Sequence, residues 1–103
     1  MRTGTTNSTS IIPVTETILQ VNGMNIRKQV CGNIVSYSTQ NATPTATGDF
    51  TLDTSVSLPY GLVLIMDGLR QVIGYIFTQS GYPVMRISTA TTSLGFVATY
   101  ITV

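Results

Sequence analysis

Few side chains in this chain could perform chemistry. Its 103 residues include no histidine, and histidine is both the usual general base and the commonest metal ligand. A Ser-His-Asp or Cys-His arrangement is therefore impossible within one chain. The single cysteine, Cys31, has no base beside it, because Lys28 lies three residues away and points to the opposite face of a strand. The nine glycines are dispersed and form no phosphate-binding loop, so we expect neither a cofactor nor a metal site.

The carboxylate side chains are Glu16, Asp49, Asp53 and Asp67. Hydrolysis of a glycosidic bond uses two carboxyl groups, about 5 to 9.5 Å apart. Asp49 and Asp53 share one face of a predicted strand and would lie about 13 Å apart, which is too far. Asp67 is explained by a turn with Gly68. The chain is therefore predicted not to be an enzyme; a carbohydrate-active enzyme that pairs Asp67 with another carboxylate is the catalytic alternative.

Tyrosine and arginine side chains could bind a ligand without catalysis. Tyr60 and Tyr82 stand beside Pro and Gly at turns, where a ring can stack on a sugar or equally pack onto the end of the domain. Arg70 and Arg86 could donate hydrogen bonds to ligand oxygens, or serve only as solubilising charges. The remaining tyrosines lie within predicted strands, where core or interface positions are expected: Tyr37, Tyr75 and Tyr100.

The composition predicts self-association. Charged residues make up 9% of the chain, against about 25% in a typical globular protein, and the net charge is +1. Either a hydroxyl-rich surface keeps the chain soluble, or much of the surface is covered in an oligomer. We favour the oligomer, because large exposed apolar patches are uncommon on monomers.

Several partners are disfavoured by the same composition. The five cationic residues are scattered, whereas nucleic-acid binding needs a basic patch. The longest apolar run, residues 62–66, is far shorter than the ~20 residues of a membrane-spanning helix. Residues 1–10 contain no hydrophobic region, so no secretory signal is expected, and a lone cysteine fits a reducing cytosol.

The chain divides into a polar arm, residues 1–15, and one β domain, residues 16–103. From Glu16 onward apolar residues recur with a period of two. Strands are predicted over residues 24–30 and 34–39, joined by a Gly-Asn turn and followed by a loop over residues 40–48.

The clearest alternation covers residues 49–58 and predicts a half-buried strand. Further strands are predicted over residues 62–66, 70–78, 84–88 and 94–103, separated by turns that contain Gly or Pro or by a polar loop. A helix over residues 62–72 is the alternative for one of these segments. The final strand is apolar on both faces, so we expect the domain core on one side and a neighbouring subunit on the other. Seven to eight short strands predict an all-β fold, an antiparallel β-sandwich or barrel.

The stretch of residues 25–103 resembles the C-terminal receptor-binding heads of tailed-phage fibre and baseplate proteins, especially from phages of Gram-positive hosts. The resemblance rests on an ordered series of motifs: Ile26-Arg27-Lys28, Ile34-Val35-Ser36-Tyr37, Ser57-Leu58-Pro59-Tyr60-Gly61, Met85-Arg86-Ile87 and Gly95-Phe96-Val97-Ala98-Thr99-Tyr100-Ile101. The Leu-Pro-x-Gly step and the final aromatic-Ile strand are its most recognisable parts.

The resemblance implies a homotrimeric head that binds a host cell-surface saccharide at loops or subunit interfaces. The arm would join it to other tail or baseplate proteins, and the protein would be made in the host cytoplasm and lie in the virion. Such heads commonly hold sugar with Trp, His and several acids, and this chain has neither Trp nor His. The expected saccharide contacts are therefore turn and strand-end residues: Asp67, Arg70, Tyr82, Arg86 and Tyr60. The expected trimer contacts are Phe96, Tyr100 and Ile101. A structural β module of a virion or bacterial surface fibre, without a ligand of its own, is the alternative.

Overall fold

A computed structural model describes residues 13–103, so residues 1–12, which include most of the predicted arm, lie outside the described residues. The described residues form eight antiparallel strands: β1 (Thr15–Val21), β2 (Met24–Cys31), β3 (Ile34–Ala42), β4 (Gly48–Thr51), β5 (Leu62–Asp67), β6 (Val72–Gln79), β7 (Tyr82–Ile87) and β8 (Leu94–Ile101). They belong to one sheet, in the order β1-β2-β3-β8-β5-β6-β7-β4, which curls into a half-barrel. The predicted all-β fold of seven to eight strands is confirmed. The helical alternative for residues 62–72 is wrong, because β5 and the start of β6 occupy that segment.

Short turns set the register of the hairpins. Asn22 and Gly23 both have positive φ and join β1 to β2, as a two-residue type I′ turn requires. Gly32 opens the predicted Gly-Asn turn between β2 and β3 with a φ of 62°. The Asp67-Gly68 signal also marks a hairpin, but its loop has three residues and its left-handed residue is Arg70, with a φ of 61°.

The predicted strand over residues 49–58 is only partly a strand. The ladder of β4 ends at Thr51, and the chain continues without regular pairing to Gly61. Single backbone hydrogen bonds hold this segment to β7 and its turn, from Leu52 N to the Pro83 carbonyl and from Leu58 N to the Gly81 carbonyl. Leu52 and Leu58 are buried, as the alternation predicts, so the pattern correctly indicates burial although it overestimates strand length.

The core lies on the inner face of the curled sheet. It contains Met24, Ile26, Val35, Tyr37, Leu52, Leu58, Ile65, Ile73, Ile76, Met85, Ile87, Leu94, Phe96, Ala98 and Tyr100. Burial alternates along β8, because successive side chains of a strand point to opposite faces. Its outward side chains Val97 and Ile101 are 67% and 61% exposed, so within residues 13–103 only one face of the final strand is covered.

Candidate functional site

A groove crosses four strands on the outer face of the sheet. The register brings Ile18 of β1, Arg27 of β2, Ser38 of β3 and Val97 of β8 into one cross-strand row. The groove has a volume of about 620 Å³. We call it the outer groove; it is lined by Ile18, Asn25, Arg27, Ser38, Thr39, Gln40, Gly95, Phe96 and Val97.

An irregularity in the β3–β8 ladder forms one end of the outer groove. The register shifts between Thr39 and Ala42, and Asn41 adopts a left-handed φ of 53°. β-Bulges of this kind redirect side chains and are common beside binding sites. A second, smaller cavity of about 190 Å³ begins here and shares Gln40 and Gly95 with the outer groove. Its remaining lining residues are Asn41, Met66, Asp67, Gly68, Ser93 and Leu94.

The polar groups of the outer groove are mainly uncharged. Amides from Asn25 and Gln40 and the hydroxyl of Ser38 can each donate and accept hydrogen bonds. Arg27 adds a guanidinium group that is only loosely paired, since its Nε lies 3.7 Å from the Glu16 carboxylate on the exposed surface. With apolar side chains beside these groups, the groove suits a small polyhydroxylated ligand better than a strongly charged or wholly apolar one.

The structure places Asp67 at the mouth of the smaller cavity and also in the β5–β6 turn. Its Oδ1 accepts hydrogen bonds from the backbone N–H groups of Leu69 and Gln71, both at 2.8 Å. The turn role proposed from the sequence is therefore present. One carboxylate oxygen fixes the loop, while the residue also lines the cavity.

The other expected saccharide contacts do not converge on one site. Arg70 lies in the β5–β6 turn, whereas Tyr82 begins β7 at the opposite end of the same three strands. Tyr60 is 77% exposed in the segment before β5, at the Tyr82 end. The length of β5, about 3.3 Å per residue, separates Tyr60 from Arg70 by more than about 15 Å. A single small ligand cannot contact all of them.

Arg86 belongs to a separate cluster on the outer face of β7. Its guanidinium group forms two hydrogen bonds of 2.8 Å with the Asp49 carboxylate and one of 2.6 Å with the Tyr75 hydroxyl. The guanidinium carbon lies 5.4 Å and 5.1 Å from the ring centroids of Tyr75 and Phe77, within cation–π range. Hydrogen bonding by Arg86 lowers the pKa of Asp49. Because these contacts already engage Arg86, the cluster stabilises the β4–β7–β6 edge more clearly than it offers a free donor.

The Asp53 side chain lies on the inner face of the curled sheet, whereas the alternation predicts the outer face. Its Oδ2 is 2.6 Å from Lys28 Nζ and accepts a hydrogen bond of 2.6 Å from the Tyr37 hydroxyl. Its Oδ1 accepts hydrogen bonds from the N–H and hydroxyl of Ser55. The reversal occurs because regular pairing stops at Thr51, which frees the chain to turn the carboxylate inward. Asp49 and Asp53 therefore face opposite sides of the sheet.

The contacts among Lys28, Tyr37 and Asp53 shift the pKa values of the Tyr37 and Asp53 side chains. Burial would raise the pKa of Asp53, but hydrogen bonds from Lys28, Tyr37 and Ser55 lower it to about 2. Burial and the neighbouring carboxylate raise the pKa of Tyr37. An ionised carboxylate and a protonated phenol are thus held together near neutral pH. Neither group is placed to exchange protons with a ligand in the outer groove, which lies on the other face.

Two of the three expected trimer contacts face the domain core. Phe96 and Tyr100 are each 6% exposed, and the Tyr100 ring packs edge-on against Tyr37 with centroids 6.4 Å apart. Only Ile101 of the three is available to a neighbouring subunit. The alternation of β8 makes Val97 its natural companion on the outer face.

The residues that form the outer groove are scattered in the sequence, and their proximity depends on strand register. Asn25, Ser38 and Gln40 carry no motif, so the sequence pattern does not identify them. Within residues 13–103, no three histidine, cysteine, aspartate or glutamate side chains are placed to hold a metal ion. The same residues contain no helix long and apolar enough to cross a membrane. No family model, no curated protein and no solved structure matches this chain.

Proposed function

We propose that this chain is the receptor-binding head of a phage tail protein, which binds a host cell-surface saccharide in the outer groove and acts as a homotrimer. The observation that carries the proposal is the chemistry of the groove. Amide and hydroxyl groups and one guanidinium group stand around apolar side chains in a cavity of about 620 Å³. This combination matches the alternating hydroxyl groups and apolar ring faces of a sugar.

The rigid setting of the groove also supports a binding role. Its floor is a four-stranded ladder, β1-β2-β3-β8, and a site on paired strands keeps its polar groups in fixed positions. The Thr39 hydroxyl donates a 3.0 Å hydrogen bond to the Asn25 carbonyl across the β2–β3 pair. Ordering costs on ligand binding are therefore small at this position. In this proposal groove residues replace four of the five expected contacts, namely Tyr60, Arg70, Tyr82 and Arg86. Asp67 lines the smaller cavity that adjoins the outer groove at Gln40 and Gly95.

A glycan array followed by titration calorimetry tests the proposal. Arg27→Ala removes the groove's charged donor, and we expect it to weaken saccharide binding about tenfold or more, as loss of a charged hydrogen bond does. Arg70→Asn is the matched control: it removes the same charge from the β5–β6 turn, at a left-handed φ that Asn tolerates. Binding that falls with Arg70→Asn and not with Arg27→Ala would place the sugar at the turn and reject the groove.

An assembly module without a ligand of its own is the second candidate. The exposed apolar side chains on the outer faces of β5 and β8 favour it, because they form a surface suited to protein contacts: Leu62, Leu64, Val97 and Ile101. If the protein forms a stable oligomer but binds no glycan on an array of cell-wall and capsular glycans, this candidate is supported over the receptor-binding head.

A further inference from the structure

Among residues 13–103, the strand β1 forms one edge of the sheet and has little of the usual protection against further pairing. It is seven residues long, and within those residues β2 is its one strand neighbour. Natural sheets commonly protect edges with charged side chains, proline, a bulge or a very short strand. β1 has a single charged side chain, Glu16, and contains neither proline nor a bulge, whereas β4 at the opposite edge has only four residues.

The hairpin geometry determines which backbone groups of β1 point to the open side. In a two-residue hairpin the closing pair, here Val21 and Met24, is hydrogen-bonded. Hydrogen-bonded and non-hydrogen-bonded pairs alternate along an antiparallel ladder. The N–H and C=O groups of Glu16, Ile18 and Gln20 therefore point away from β2, toward the position of a ninth strand.

Apolar side chains of β1 are only partly covered at this edge. Leu19 and Val21 are only half-buried although they pack against the core. Ile18 is 51% exposed on the outer face. An added strand would cover all three, since side chains of neighbouring strands contact each other on both faces.

We propose that β1 pairs with β1 of a second copy of this chain, antiparallel and about a two-fold axis at Ile18. In this register Ile18 lies opposite the partner's Ile18, and Glu16 lies opposite the partner's Gln20. Each outward-pointing residue then meets another, which gives six backbone hydrogen bonds and no pair of like charges. A register two residues closer to the N-terminus at each strand would place Glu16 opposite the partner's Glu16, and repulsion between the carboxylates disfavours it.

The β1–β1 contact shares Ile18 with the outer groove, but it is made by the backbone edge of β1 and can be tested separately from saccharide binding. Each chain has one β1 edge, so the two-fold contact turns a monomer into a dimer, and it turns a trimer into a hexamer when all three edges pair with one second trimer. If the protein binds a glycan but does not pair through β1, the proposed function stands and the β1–β1 contact is rejected. If it pairs through β1 but binds no glycan, the β1–β1 contact stands and the saccharide-binding proposal is rejected.

Cysteine cross-linking tests the register. The experiment uses the full chain with Cys31→Ser, so that only the introduced thiol can react. Ile18→Cys places two thiols at the two-fold axis, where the ~5.5 Å Cα separation of a hydrogen-bonded pair permits a disulfide. Gln20→Cys is the matched control on the same strand and face, because the two Gln20 positions lie about 13 Å apart along the strands. We expect a disulfide-linked dimer from Ile18→Cys at least tenfold more abundant than from Gln20→Cys; equal yields overturn the register.

Sedimentation equilibrium tests whether the β1–β1 contact forms. Ile18→Lys places two lysines directly opposite each other, and we expect it to raise the dissociation constant of the two-fold contact about tenfold or more. Leu69→Lys, in the exposed β5–β6 turn, adds the same charge away from the edge and should not change the mass. A wild-type mass that Ile18→Lys does not reduce overturns the proposal, including the case in which residues 1–12 of the same chain occupy the edge.

Discussion

At the scale of single residues, Asp53 shows how a nearly buried carboxylate can hold an irregular segment against the sheet. Its side chain is 7% exposed and that of Lys28 is 15% exposed. Burying either charge alone would be costly, and the pair is tolerated because Tyr37 and Ser55 supply further hydrogen bonds to the carboxylate. The cluster links β2, β3 and the irregular segment after β4, so it positions the chain where ladder pairing is missing.

The pKa of Asp53 predicts how stability depends on pH. A pKa lowered from 3.8 to about 2 means that ionised Asp53 stabilises the fold above pH 3.8, and that this contribution is lost as the pH falls toward 2. The contribution is about 2 kcal/mol. Urea unfolding between pH 6 and pH 2 measures it, and Asp53→Asn should lower the free energy of unfolding at pH 6 by at least that amount.

The same measurement has a control in Asp49→Asn. Asp49 is an exposed carboxylate whose side chain is 46% accessible, so its removal should cost much less stability. The difference between the wild type and Asp53→Asn should shrink as the pH falls below 3.8. A difference that stays constant down to pH 2 would show that folding does not change the pKa of Asp53.

At the scale of elements, the β6–β7 pair depends on one glycine. Gly74 stands opposite Ile87, and a Cβ added there would overlap the Arg86 carbonyl oxygen. The obstacle is backbone, so it cannot move aside as the end of a side chain can. We expect Gly74→Ala to lower the free energy of unfolding by about 3 kcal/mol, at the upper end of the cost of overpacking.

Gly68→Ala provides the matched control for this substitution. A Cβ at Gly68 would have its nearest neighbour, Ser93 Oγ, at 4.0 Å. Replacing such a glycine leaves stability nearly unchanged or raises it slightly, because the unfolded chain loses freedom. Thermal unfolding of the two variants gives the comparison, and equal melting temperatures would contradict the close approach of β6 to β7.

The elements also show how far the sequence alone predicts this structure. The period-two pattern and the Gly-containing turns predict β2, β3 and β5–β8, because local geometry determines them. The pattern from Phe50 to Leu58 predicts the buried face but not the end of β4, because pairing depends on a partner strand elsewhere in the chain. The outer groove depends on the register of four strands and on the bulge near Asn41, and neither is visible in a single sequence.

At the scale of the whole molecule, many of the few charged side chains are engaged in ion pairs. The outer face of β5 and β8 is largely apolar. The exposed side chains there include Leu62, Leu64 and Val97. A cyclic trimer uses two different patches on every chain, and this apolar face would supply one of them.

The proposed trimer therefore predicts a specific response to charge on the outer face. Leu64→Lys should reduce the three-fold unit to monomers at micromolar concentration, because it buries an unpaired ammonium group in an apolar contact. Thr51→Lys, on exposed β4, is the control that adds the same charge away from this surface. For a hexamer that combines both contacts, light scattering distinguishes them: Ile18→Lys halves the mass, Leu64→Lys divides it by three, and the double variant is monomeric. A wild-type protein that is monomeric at micromolar concentration would reject both contacts, whereas one halved by Ile18→Lys and unaffected by Leu64→Lys would retain the β1 edge alone.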